Sequence, residues 1–300
     1  MGSERRVGHR GLTIAAVVAG VLVIAATVWL VTAGALTGRP ATAPREDGAP
    51  TASASEPVAG EFAPPAAAEL EALPEVRFDA VIGGLIPLAE AEAQVDGRYE
   101  LLHNAALYGE DRRTAVARFA AIDFLAVPST VVVVEQDGDW SLVMTPARVT
   151  LPSESDGSAP AQSAAWMRTS DLRRVGDLPA RVVISVADAT LTIEDPSAEP
   201  AVFDVGVGTP DTPTPTGVTG YLQQRYLDPS QGAAEHPIQL TSLHATAHDE
   251  PYGGTDGGLI GIHFNPDNDG AVSHGCIRLS AEAIDAVNRL PLGTPVSIVP

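Results

Sequence analysis

Cysteine is almost absent from this chain of 300 residues, and Cys276 is the only one. A single cysteine excludes an intramolecular disulfide, so ordinary hydrophobic cores must hold the fold together. Lysine is missing altogether: the 18 basic residues are all arginine and stand against 38 acidic residues, for a formal net charge of −20. We do not expect nucleic acid as a partner, because no basic stripe is present to neutralise phosphates.

Charge is also absent from residues 11–36, an apolar run of about 26 residues that is long enough to cross a bilayer. Three arginines in residues 1–10 place that tail in the cytoplasm by the positive-inside rule. We therefore predict a cytoplasmic tail at 1–10, a single transmembrane anchor at 11–36 and an extracytoplasmic remainder of the chain. A signal peptide cleaved after the small residues 41–43 is the alternative.

Residues 37–72 are rich in proline, alanine, serine, threonine and glutamate. Such a composition cannot bury enough apolar surface to offset the entropy lost on ordering, so we predict a disordered linker. In a polyproline conformation, at about 3.1 Å per residue, it would reach roughly 100 Å from the membrane.

A β module is predicted at residues 73–175. Two β-branched runs, 130–135 and 140–144, are joined through an Asp-Gly pair and predict a hairpin, and a further strand is expected at 165–168. Arg112, Arg113 and Arg118 are interleaved with alanine and valine and are expected on a short helix with a solvated face.

Two tryptophan-containing segments of this module, Asp137–Trp140 and Trp166–Leu172, resemble the small SH3-like modules of bacterial cell-wall proteins. The tryptophans either line a ligand groove or pack in the core of a small β-barrel. The sequence leaves both interpretations open.

A second β-rich unit is predicted at residues 176–300. Its expected strands are at 181–186, 190–193, 201–208, 218–222, 259–263 and 295–299. Part of the polar segment 228–258 is predicted to form a loop or flap over the site. Ser280 is a suitable N-cap for an amphipathic helix at 281–290. The predicted fold class is mainly β.

The cysteine lies in the heptapeptide SHGCIRL at residues 273–279. A thiol attacks as its thiolate and needs a nearby base, for which His263 at a strand end and His274 are the candidates. We assign the base to His263 and an orienting role to His274. Gly275 allows a carbonyl to approach the backbone closely, so the amides of Gly275 and Cys276 are predicted to form an oxyanion hole. The alternative is a Cys276 that is only a small buried hydrophobic residue.

Zinc binding is a competing interpretation of the same residues. His263, His274 and Cys276, completed by His244 or His248, would supply four ligands. His244 and His248 have the four-residue separation of a common zinc motif, but their segment is an expected loop and no glutamate follows His244 directly. We therefore predict that no metal and no cofactor is required.

The heptapeptide, the upstream segment Ile260–His263 and the turn Thr214–Gly217 together resemble the catalytic domain of the L,D-transpeptidases of the YkuD type, which remodel bacterial peptidoglycan. The resemblance covers about residues 180–300. It implies a β-rich fold, a Cys276 nucleophile, a His263 base and backbone oxyanion donors, with Arg278 supporting the site.

The activity implied by this resemblance is acyl transfer on peptidoglycan stem peptides. Cys276 would attack the bond before the terminal D-alanine of a tetrapeptide stem, and an amine of a neighbouring stem would resolve the thioester. If water resolved it, the protein would be an L,D-carboxypeptidase. The resemblance also places the catalytic domain on the cell-wall side of the membrane.

Two features depart from the family pattern at the rim of the expected site. Phe264 stands where the family commonly has glycine, and the loop from His263 to Ser273 is a few residues shorter. We predict that Phe264, Ser273, Arg278 and Tyr252 contribute to substrate binding. Because Phe264 would narrow the cleft, a catalytically impaired wall-binding protein is the second hypothesis.

Overall fold

A computed structural model of the chain describes residues 62–89, 93–95, 97–156, 158–231, 233–248 and 256–300. These residues form two β-sheets and two α-helices, which confirms the mainly β class. The predicted cytoplasmic tail, the membrane anchor and the linker before residue 62 lie outside the described residues. No helix within the described ranges has both the length and the apolar character needed to cross a membrane.

The first sheet has eight strands, all from the module predicted at 73–175. In chain order they are β1 (Ile86–Pro87), β2 (Arg98–Leu101), β3 (Ala105–Tyr108), β4 (Ala115–Phe119), β5 (Val131–Asp137), β6 (Trp140–Thr145), β7 (Ser163–Arg168) and β8 (Leu172–Gly176). Their order across the sheet is β4-β3-β7-β6-β5-β2-β8, and β1 pairs with β7. The predicted hairpin is present as β5 and β6, with Gly138 in the turn at a left-handed φ of +59°.

Both tryptophans of this module pack against its own residues. Trp166 is buried, and the Arg112 guanidinium lies 3.6 Å from the centre of its ring. Trp140 meets Tyr108 edge-on with ring centres 5.2 Å apart. These contacts favour the core role over a ligand groove, whereas the likeness to SH3-like modules stays a prediction.

The short helix predicted to carry Arg112, Arg113 and Arg118 is wrong. Residues 109–114 form the turn between β3 and β4, and Arg118 lies on β4. The sequence of β4 buries alternate residues, Ala117 and Phe119, which is the period of a strand rather than of a helix. Arg118 is anchored by an ion pair of 2.9 Å to Glu75.

The predicted disordered linker extends too far along the chain. Helix α1 (Ala67–Ala72) lies within it, and the Glu69 carboxylate accepts a hydrogen bond of 2.9 Å from the Ala66 amide at its start. Phe62 meets Tyr108 and Trp140 edge-on, with ring centres 5.5 and 5.1 Å apart. Composition alone fails here because one aromatic residue finds an aromatic surface to pack on.

The second sheet has ten strands. In chain order they are β9 (Arg181–Ser185), β10 (Thr190–Glu194), β11 (Ala201–Asp204), β12 (Gly206–Gly208), β13 (Val218–Asp228), β14 (Ala233–His244), β15 (Leu259–Phe264), β16 (Gly270–Ser273), β17 (Ile277–Leu279) and β18 (Pro295–Val299). Their order is β11-β10-β9-β18-β13-β14-β15-β17-β12-β16. Helix α2 (Ala281–Asn288) follows β17, and the Ser280 hydroxyl caps it by accepting from the Ala283 amide, as predicted.

The segment 228–258, part of which is predicted as a loop or flap, contains a long strand, β14. β14 runs for 12 residues in the middle of the sheet, between β13 and β15. Its polar residues from 239 onward are buried, and they find hydrogen-bond partners inside the protein; the Thr241 hydroxyl, for example, donates to the Ile260 carbonyl at 2.6 Å. The strand predicted at 201–208 is divided into β11 and β12 at Val205.

The two sheets are part of one compact unit, Val58–Pro300. Tyr221 of β13 packs in a buried cluster with residues of the first sheet. The Ser242 hydroxyl of β14 donates to the Gln162 side chain at 2.5 Å. The first module is therefore packed directly on the sheet that carries the cysteine.

Phe62→Ala tests the corrected boundary of the linker. We expect the free energy of unfolding to fall by about 1–3 kcal/mol, because two edge-on aromatic contacts and part of a buried apolar surface are lost. Urea unfolding of the full chain measures this change. Ala63→Ser, at the exposed neighbouring position, is the control, and equal stability of the two variants would contradict the assignment.

Candidate active site

Cys276 and His263 are brought together by two adjacent parallel strands. β15 and β17 pair with Ile262 opposite Ile277 and His263 opposite Arg278. Cys276 directly precedes β17, and its Sγ lies 3.9 Å from the position that a Cβ on Gly261 would take. Residues two apart on a strand share a face, so the sulfur and the imidazole lie on the same face of the sheet. The missing side chain at residue 261 makes room for the sulfur.

The tautomer of His263 is set by the backbone. Its Nδ1 lies 3.0 Å from the carbonyl oxygen of Phe264. A carbonyl oxygen can only accept, so Nδ1 carries the proton and Nε2 is the nitrogen that can accept one. This is the form that a general base requires.

Burial lowers the pKa of His263, and the positive charge of Arg278 lowers it further, while the hydrogen bond to Phe264 opposes both effects. A lowered pKa keeps the imidazole neutral at and somewhat below pH 6.5, the ordinary value. His263 is therefore ready to take up a proton at neutral pH. Its role as the base stays a prediction.

The turn before Cys276 is closed by Ser273. Its hydroxyl donates to the Cys276 carbonyl at 2.6 Å and accepts from the Gly275 amide at 3.1 Å. Ser273 is 2% exposed and has a structural role in the turn, while its part in substrate binding stays a prediction. The Gly275 amide is likewise directed at this hydroxyl. This contact was not predicted from the sequence, and the role of Gly275 as an oxyanion donor stays a prediction.

Gly275 is required by its backbone conformation. Its φ is +98°, a region that side chains disfavour, and an added Cβ would lie 3.2 Å from Ile260 Cδ1. Its carbonyl accepts a hydrogen bond of 2.8 Å from the buried Thr214 hydroxyl, which in turn accepts one of 2.8 Å from the Gly208 amide. The sequence identified the turn that contains Thr214 but not this contact. Thr214 therefore fastens the cysteine turn to β12.

The cysteine faces a cleft of about 970 Å³. Six of the predicted site residues contribute to its lining, namely His263, Phe264, Ser273, His274, Cys276 and Arg278. Tyr252 lies outside the described residues. The first module contributes a second wall that the sequence did not predict, made by Phe78, Asp79, Val81, Arg148 and Leu151. These residues are far from Cys276 in the sequence, and nothing in the sequence indicated that they line the same cleft.

Phe264 and Arg278 lie at the edges of the cleft. The Phe264 ring packs against His236 with ring centres 4.9 Å apart, and the His236 Nδ1 lies 2.9 Å from an Asp285 carboxylate oxygen. Phe264 thus forms an apolar side wall of the cleft. Arg278 is paired with Asp267 at 3.4 Å. His274 is exposed beside the cysteine turn.

His244, one of the alternative zinc ligands, is fully occupied by protein contacts. Its Nδ1 accepts from Arg148 Nε at 3.0 Å, and its Nε2 donates to the Pro146 carbonyl at 2.9 Å. Burial, assisted by the charge of Arg148, lowers its pKa to about 3. Among the described residues, no group of three or more histidine, cysteine or acidic side chains is placed to hold a metal ion.

Comparison with known proteins agrees with the site. Residues 179–298 match the family model YkuD, the L,D-transpeptidase catalytic domain. No curated protein sequence matches the chain.

Similar solved structures include three bacterial enzymes. An L,D-transpeptidase from Mycobacterium smegmatis is 16% identical, with 54% of this chain and 91% of that chain covered, at a TM-score of 0.30. L,D-transpeptidase 3 from Mycobacterium tuberculosis is 15% identical, with coverages of 54% and 92% and a TM-score of 0.30. An L,D-transpeptidase from Mycobacterium tuberculosis H37Rv is 17% identical, with coverages of 73% and 98% and a TM-score of 0.30.

The titration of His263 is the first test of the site. Because burial and Arg278 both lower its pKa, we expect NMR of the imidazole to give a midpoint below 6.5, the value expected for the unfolded chain. Arg278→Gln should move the midpoint upward, since one of the two causes is removed. A His263 midpoint above 6.5 in the folded protein, or a downward shift in the variant, would contradict the assignment.

Gly275→Ala tests the backbone requirement. We expect it to cost about 1–3 kcal/mol of stability, because a side chain is forced into a strained φ, and to slow the alkylation of Cys276 by displacing the turn. Gly270→Ala is the control, since Gly270 also has a positive φ, of +69°, but open space around its Cβ position. Urea unfolding and iodoacetamide labelling measure the two effects. A Gly275 variant no more affected than the control would refute the role.

Proposed function

Because residues 179–298 match the family model of the L,D-transpeptidase catalytic domain, YkuD, we propose that the protein is a peptidoglycan L,D-transpeptidase that forms cross-links by cysteine acyl transfer. The observation that carries this proposal is the placement of Cys276 Sγ over Gly261, on the same face as His263, with the His263 Nδ1 held by a carbonyl. This arrangement is that of a nucleophile beside an oriented base.

In the first half of the proposed reaction, His263 Nε2 takes the thiol proton as Sγ attacks the carbonyl that precedes the terminal D-alanine of a tetrapeptide stem. The carbon–sulfur bond forms, the carbon–nitrogen bond breaks, and the proton passes from His263 to the departing amine of D-alanine. A thioester on Cys276 remains.

In the second half, a side-chain amine of a neighbouring stem attacks the thioester and gives a proton to His263. The carbon–sulfur bond breaks, and the thiolate recovers its proton from the imidazolium. Since the Gly275 amide is bonded to Ser273, we assign the backbone contribution to oxyanion stabilisation to the Cys276 amide.

The setting proposed for this chemistry is the outer face of the cell membrane. Residues 11–36 would anchor the protein by one helix with its N-terminus in the cytoplasm, and the linker would hold the catalytic domain on the cell-wall side. The partners are then peptidoglycan stem peptides and the membrane. The reaction as written requires no cofactor.

Incubation of the full chain with tetrapeptide-stem fragments, followed by mass spectrometry, tests the proposal. We expect a thioester on Cys276, release of D-alanine and a cross-linked dimer. Cys276→Ala should abolish all three products, and His263→Ala should slow thioester formation by about 10²–10⁴-fold, the usual contribution of a general base.

His103→Ala is the control, because this histidine lies in the first module with a side chain 63% exposed. Release of D-alanine without dimer would assign the site to an L,D-carboxypeptidase. The absence of any product that depends on Cys276 would refute acyl transfer and leave the wall-binding protein.

A further inference from the structure

Arg148 of the first module is buried against the sheet that carries the cysteine, with 6% of its surface exposed. It follows β6 in the chain, yet its guanidinium contacts residues about a hundred positions later. Nε donates to His244 Nδ1 at 3.0 Å, and Nη2 donates to the Gly258 carbonyl at 3.0 Å and to the Gly257 carbonyl. These three acceptors are neutral groups, so the Arg148 guanidinium acts here through the planar arrangement of its hydrogen-bond donors.

His244 completes the contact from the other side. Because its pKa is held near 3, its ring is neutral at physiological pH and Nδ1 can accept from Arg148. Its Nε2 donates to the Pro146 carbonyl, which also belongs to the first module. His244, at the end of β14, is therefore hydrogen-bonded to two residues from the same segment of the first module.

The path from Arg148 to the thiol is short. Gly258 directly precedes Leu259, the first residue of β15, and the Leu259 carbonyl is the acceptor that faces Cys276 Sγ at 3.8 Å. The same strand carries His263. The guanidinium therefore holds the peptide unit next to the one that contacts the sulfur.

Further contacts to the first module hold the same region. The Asp256 carboxylate accepts from the Ser153 amide at 2.7 Å and from its hydroxyl at 2.8 Å. At the end of β14, the His244 amide donates to the Ala161 carbonyl at 2.9 Å. The end of β14 and the start of β15 are thus both fixed by the first module.

We propose that Arg148 is a positioning residue for the cysteine chemistry, which it serves by fixing residues 257–259 and so the carbonyl that faces Cys276. The first module is then a part of the active site, in addition to any role in binding the wall. This inference rests on the proposed function for its catalytic meaning, whereas the placement of the thiol can be measured without any stem peptide.

The experiment compares Arg148→Met and Arg148→Lys with the full-length wild-type protein. The rate of iodoacetamide labelling of Cys276 is measured against pH, and the rate of thioester formation is measured with a stem tetrapeptide. Hydrogen exchange is measured at the Ala245 amide, which donates to the Gly258 carbonyl at 3.0 Å. We expect both variants to lose protection at Ala245, to form the thioester about tenfold more slowly or worse, and to show an altered labelling profile. Lysine should not rescue, because it keeps the charge but not the planar fork.

Arg173→Met is the matched control, since this arginine lies on β8 with its side chain 62% exposed and paired with Glu100. A wild-type profile and rate in folded Arg148→Met, or full rescue by lysine, would overturn the proposal.

His244→Gln and His244→Ala provide a second route if the Arg148 variants do not fold. Glutamine retains an acceptor for Arg148 and a donor for Pro146, so it should preserve the labelling profile that alanine alters. Equal profiles in wild type and His244→Ala would overturn the proposal. If wild-type protein forms no thioester, the proposed function fails, while the labelling and exchange results still decide the role of Arg148.

Discussion

The parallel pairing of β15 with β17 is the constraint on which the site depends. Parallel neighbours keep a fixed register, so the residue before β17 meets the third residue of β15, and both lie two positions before the pair His263 and Arg278. Glycine at position 261 leaves a gap in the side chains of that face, and the sulfur fills it. A slip of one residue would turn the imidazole to the opposite face of the sheet. The strand core behind the site, which includes Ile260, Ile262 and Ile277, fixes the register by burial.

A second layer of hydrogen bonds holds the cysteine turn in place. The Ser273 hydroxyl is hydrogen-bonded to the Gly275 amide and the Cys276 carbonyl. The Thr214 hydroxyl donates to the Gly275 carbonyl and so links the turn to β12. Both hydroxyls are buried, where a hydrogen bond left unmade would be costly. The turn is therefore held in one conformation before any substrate binds. Such preorganisation is what places a nucleophile within reach of its base.

Local signals carried most of the sequence predictions that the structure confirms. The β-branched runs of β5, β9 and β10 predicted strands, and Ser280 predicted the start of α2. Features that depend on distant partners were missed. β14 resembles a loop because its polar residues find buried partners, and the contact between Arg148 and His244 spans 96 residues. The sequence also did not indicate that the Ser273 hydroxyl accepts a hydrogen bond from the Gly275 amide.

An adjacent arginine lowers the pKa of each of two histidines, the buried His244 and the partly buried His263. In each case burial is the larger cause that lowers the pKa of the imidazole, and the adjacent guanidinium adds to it. Both ring nitrogens of His244 are hydrogen-bonded to the first module, so its neutral ring has a structural role. For His263 only Nδ1 is bonded to the backbone, so the neutral ring retains a nitrogen for chemistry. The number of ring nitrogens that are hydrogen-bonded within the fold, rather than the charge state, thus separates the structural histidine from the proposed base.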